Sequence, residues 1–153
     1  MPNAPDIANK MYPSLVTNCE TAFDTIVAGS TATDKVWSGT VPETDSAGNR
    51  LLPPWVLIHS LTQQRGQASN FTQDGGDGSF TVTVATQDPA GATLARQIAE
   101  AIQAQLSPSN VTATGFKILS LYRDGGGERP PLTDPQGDYH YIDQIYAYSA
   151  YPS

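Results

Sequence analysis

The chain has 153 residues, enough for one domain whose core needs no disulfide staples. Charged residues make up only 15%, against about a quarter in an ordinary soluble domain, so Thr, Ser, Gln, Asn and Gly must cover much of the surface. The balance is acidic, net −7, with no Lys/Arg cluster; tight nucleic-acid binding is excluded, because phosphates need neutralising charge.

The first ten residues, MPNAPDIANK, hold neither a basic run nor an apolar run, so they do not read as a secretory signal. No apolar run is long enough to span a bilayer, and the lone Cys19 allows no intrachain disulfide. The expectation is a soluble protein made in the cytoplasm, with no membrane partner.

From 6 to 27 the pattern is helical. Leu15, Cys19, Ala22, Phe23 and Ile26 recur at three- and four-residue spacing and form one apolar stripe. Pro13 suits a first turn better than a helix middle, so residues up to Tyr12 are expected as a separate piece. A short strand is predicted over 35–38, then a polar loop over 42–54. Residues 55–61 (WVLIHSL) read as an inner strand, and 62–78 as a long polar connection. Residues 79–86 (SFTVTVAT) are a strand with Phe80, Val82 and Val84 on one face.

A helix follows over 92–106. Asp88 is expected as its N-cap and Pro89 as its first residue, with Leu94, Ile98, Ile102 and Leu106 at fourfold spacing. Residues 115–123 and 139–150 are two more strands, joined by the polar tip DGGGERPPLTDPQG. The expected fold is α+β over 1–153: a mainly antiparallel sheet of four to five strands, two helices packed on one face, and long loops.

Catalytic signatures are sparse. His59 and His140 are the only histidines, and both sit in predicted strands, where packing is the commoner role. No GxSxG, HExxH or GxxxxGK[ST] motif occurs. Cys19 lies on an apolar stripe and reads as a structural thiol. Two acidic glycine clusters, DGGDG at 74–78 and DGGGE at 124–128, lack the spaced ligands of a calcium loop and read as solvated turns. Arg123 and Arg129 flank the second, where they balance Asp124 and Glu128 or reach a neighbouring subunit. Phe71 is an isolated aromatic in the long polar connection, suited either to a partner or to its own core.

The order of these pieces resembles the tail-terminator (tail-completion) proteins of long-tailed bacteriophages. The resemblance runs from the first helix to the last strand. It is carried by Val36-Trp37 leading to Pro42, by Pro53-Pro54 before the apolar strand, and by a glycine-rich loop before Phe80-Thr81-Val82-Thr83-Val84. The alanine-rich helix over 92–106, Arg123-Asp124 and the aromatic final strand complete it. The sequence departs from that layout at 45–50 and in the proline-rich tip at 129–135.

The resemblance implies a non-enzymatic virion protein without a cofactor. It would form a ring, usually a hexamer, at the head-proximal end of the tail. Its partners would be copies of itself, the tail tube protein and the head–tail connector, with DNA passing through the lumen. Ring closure needs one patch to meet a different patch on the next copy. Arg65, Asn70, Phe71, Arg123 and Arg129 are the candidate contacts on this reading, and Asp74, Asp77, Asp124 and Glu128 the candidate lumen acids. A tube or neck subunit, a small enzyme using a histidine with a carboxylate, and a ligand-binding module on the tyrosine-rich strand are the alternatives.

Overall fold

The computed structural model describes residues 7–27, 35–44, 48–65 and 76–152, without the side chains of Ala8, Gln63, Gln64 and Arg65. The first helix, α1, runs unbroken over Ile7–Ile26 with Pro13 inside it. The expected break is absent for a physical reason. Ile7, Met11, Leu15, Cys19 and Phe23 follow one another at fourfold spacing, all fully buried. Burial on both sides of the proline holds the two segments in line, although Pro13 offers no N–H of its own.

Strand β1, Val36–Ser38, pairs in parallel with β2, Trp55–Arg65. Strand β3, Gly76–Gln87, runs antiparallel to β2 from Trp55↔Ala85 to Arg65↔Gly76. Residues 62–65 and 76–78 of the expected connection are therefore ladder; 66–75 lies outside the described residues. Polar side chains did not stop the strands, because backbone pairing is indifferent to them. Helix α2 spans Gly91–Gln105 and buries Ala95, Ile98, Ala99 and Ile102.

Asp88 is not its cap: the N-cap is Ala90, without a side-chain bond. The Asp88 carboxylate instead accepts from the Asp138 backbone N–H (3.2 Å) and meets His140 Nε2 at 2.8 Å.

Strand β4, Phe116–Glu128, and strand β5, Tyr139–Pro152, close the fold as a hairpin. The cluster at 124–128 is thus strand, not turn. Its glycines are what permit this: Gly126 has φ +96°, and a Cβ there would strike the Asp143 carbonyl. Irregularities between Ile118 and Ser120 and between Arg123 and Gly125 leave Leu119 and Asp124 out of register.

The sheet order is β1-β2-β3-β5-β4. Helix α1 packs on β1 and β2, α2 packs on β3 and β5, and the helices touch each other, so one sheet face is covered. The core between them holds Val56, Ile58, Phe80, Val82, Val84, Ile142 and Tyr146. The Phe80 and Tyr146 rings stack with centroids 5.3 Å apart. The buried Gln144 is satisfied: it donates to the Ala99 carbonyl (3.0 Å) and accepts from the Tyr146 hydroxyl (2.8 Å).

Candidate assembly surfaces

Several clusters of polar side chains tie elements together among the described residues, and three of them involve arginines. On the helix side, Glu128 forms a two-pronged pair with Arg96 of α2, through Nε and through Nη2 (3.2 Å). That bond and charge hold the Glu128 carboxyl below the usual carboxylate range and raise Arg96. Arg123 lies beside them. Its Nε donates to the Gly125 carbonyl (3.2 Å) and its Nη1 reaches Gln103 at 3.5 Å. Glu128 therefore balances Arg96 and not the arginines next to it in sequence. No spacing pointed to Arg96, which is 32 residues away.

The second cluster lies on the uncovered sheet face. Thr83 is 2% exposed and gives its only hydroxyl proton to Asp143 (2.6 Å). Its oxygen must then accept from His59 Nε2, 2.8 Å away, which assigns that ring nitrogen its proton. His59 Nδ1 meets the Ser60 hydroxyl at 2.9 Å. Ser60 has φ 56° and sits in the irregular step between His59 and Thr62. Asp143 also takes Arg129, at 2.7 Å, and the Arg129 guanidinium lies 4.6 Å over the Tyr141 ring. The chain from His59 to Arg129 ties β2, β3 and β5 to the start of the hairpin tip. His140, bonded to Asp88, belongs to a different cluster, so the histidines do not converge.

The third cluster builds one end of the molecule. A recess of about 480 Å³ opens there, walled by Val41, Pro42, Leu51, Pro53, Trp55 and Tyr139. At its rim, Arg50 donates to the Tyr139 hydroxyl (2.9 Å) and lies 3.5 Å from Asp134. The hairpin tip is tied beside it. Leu132 and Tyr139 exchange two backbone bonds (2.9 and 2.8 Å). Gln87 donates to the Gly137 carbonyl at 3.1 Å.

The other predicted site residues fall apart in space. Arg65 ends β2 opposite Gly76, with its side chain outside the described residues. Asn70, Phe71 and Asp74 also lie outside them. Asp77 is exposed in β3 opposite Ser149, and Asp124 is exposed at the second irregularity of β4. Glu128 pairs with Ile142, so Asp77 and Glu128 lie seven β5 positions apart, roughly 23 Å at the rise of a strand. The three described acids, Asp77, Asp124 and Glu128, do not form one cluster. Among the described residues no group of His, Cys, Asp and Glu could hold a metal ion, and no helix is long and apolar enough to cross a membrane.

These features define a five-stranded, mostly antiparallel α+β domain with one covered sheet face. No protein-family model and no curated protein matches the chain. Solved structures do. One chain from the virion of a native gene transfer agent particle is similar at a TM-score of 0.58 with 18% identity, over 86% of this chain and 93% of that one. A second solved chain is similar at a TM-score of 0.51 with 16% identity, over 97% of this chain and 100% of that one. At such identities the likeness is one of fold.

Proposed function

We propose that this protein is a structural, non-enzymatic subunit of a phage-like virion, ending the tail tube as a ring and offering the surface that joins tail to head. The observation that carries this reading is the match, over 86% of this chain and 93% of the other, to a chain of a gene transfer agent virion. The order of elements supports it, since it follows the tail-terminator layout from first helix to last strand. The polar chemistry is consistent. His59, Asp143, Arg129, Arg96, Glu128, Asp88 and His140 are engaged in ties between elements; Arg96 and Glu128 line a small cleft with Glu100, Arg123 and Gln144, which neither histidine lines. On this reading the partners are further copies, the tail tube protein and the head–tail connector, and DNA passes the lumen without specific binding.

Solution mass and electron microscopy of the full chain, with and without tail tubes, test it. A single ring on tube ends is expected. Unlimited tubes from the purified chain would indicate a tube subunit instead, and a monomer indifferent to tubes would overturn the assignment.

A further inference from the structure

The bonds around His59 leave one hydroxyl facing a base. Thr83 gives its proton to Asp143 (2.6 Å), so His59 Nε2, 2.8 Å away, carries the ring proton. In the neutral ring the other nitrogen, Nδ1, is then a bare lone pair. The Ser60 hydroxyl lies 2.9 Å from it and must donate. The result is an ordered row of Ser60, His59, Thr83 and Asp143, with a carboxylate at its far end. A hydroxyl bonded to a base that a third group orients is the arrangement that activates a nucleophile. Asp143, acting through Thr83, steadies the imidazolium that forms when His59 takes a proton.

The backbone sets Ser60 apart from the other serines. Its φ is 56°, and no other non-glycine residue among those described has a positive φ. Such a conformation costs free energy in an L residue and persists only where the surroundings impose it. The cause is local: β2 takes three steps from His59 to Thr62 where β3 takes two from Thr81 to Ser79. A bulge of this kind re-aims a side chain. Ser60 is exposed, His59 is half-buried and Thr83 is 2% exposed, so the row runs from solvent into the sheet. Ser38 and Ser109 are exposed as well, but among the described residues the histidine-bonded serine is Ser60.

We propose that Ser60 is a covalent modification site, whose hydroxyl takes an acyl group from an activated ester or thioester. Ser60 Oγ attacks the acyl carbon, and its proton passes to His59 Nδ1. The bond from that carbon to the leaving oxygen or sulfur breaks, and the leaving group takes the proton from His59. Ser60 is left as an ester and His59 returns to its neutral form, with no change of oxidation state. Neither Ser60 nor His59 lines the recesses described above, so a single transfer is expected and not turnover. The site adds a modifiable residue to a structural subunit and does not depend on the ring reading.

Acetylation of the full chain by p-nitrophenyl acetate, mapped by peptide mass spectrometry, tests this. Ser60 should react roughly a hundredfold faster than Ser38 or Ser109. His59→Gln should remove that advantage. Thr83→Val should reduce it, and nitrogen NMR should then show the His59 proton shared between both ring nitrogens, a change that lost packing alone would not produce. The same NMR measurement on the unaltered chain needs no variant to fold: it should find the proton on Nε2. Acetylation of Ser60 at the rate of Ser38 and Ser109, an unchanged rate in His59→Gln, or a neutral His59 ring protonated on Nδ1 would each overturn the proposal.

Discussion

Gly78 sits where three strands approach at backbone distance. A Cβ there would run into the Thr62 carbonyl and the Tyr148 hydroxyl, which bond each other at 2.9 Å. Gly78→Ala must push β2 from β3 or displace Tyr148, and should cost about 1–3 kcal/mol. Gly127→Ala, with nothing within 4 Å of its Cβ, should stay within about 0.5 kcal/mol. Chemical denaturation of both variants checks the contrast; equal stability would show that the close approach is not structural. Cys19 offers a second test. Burial pushes its thiol up to about 12, with Glu20 adding to the shift, from an ordinary value of 9.0. The unfolded chain therefore sheds this proton first, and stability should fall as pH rises from about 9 towards 12. A thiol reagent at pH 8 should label Cys19 only after denaturant is added; rapid labelling of the native chain would contradict its burial.

At the scale of elements, the helix faces were legible because periodicity records burial. Leu15, Cys19 and Phe23, and then Ile98 and Ile102, all point inward as their spacing required. The strand centres were legible for the same reason. Strand ends were not: Thr62 to Arg65 and the glycines of β4 carry no apolar alternation, and only the neighbouring ladder makes them strands. The polar ties were invisible too, since Thr83 and Asp143 meet across 60 residues of sequence. These ties differ in weight. Asp143→Ala removes the acceptor of a hydroxyl that is 2% exposed, and should cost about 1–3 kcal/mol. Arg129→Ala breaks a half-exposed pair and should cost less than about 1 kcal/mol, while speeding amide exchange in the hairpin tip. If Arg129→Ala proved the costlier change, the hairpin and not the buried hydroxyl would anchor this face.

At the scale of the whole molecule, the acidic balance bears on the proposed ring. Six copies at −7 would place 6 × −7 = −42 around a lumen, a charge that repels DNA and lets it slide. The candidate acids are not equal in this role. Glu128 is neutralised by Arg96, so its charge contributes little beyond its own pair. Asp77 and Asp124 are exposed, and no ion pair holds either among the described residues. Replacing both by lysine shifts each copy by +4, from −7 to −3, and a six-membered ring from −42 to −18. If these positions face the lumen, the double variant should retain DNA at low salt, release it as salt rises, and slow genome exit. Arg96→Gln together with Glu128→Gln, which removes a neutral pair, should change neither DNA retention nor exit. Particles carrying the double variant that eject at the normal rate, with rings that hold no DNA at low salt, would show that Asp77 and Asp124 face away from the channel.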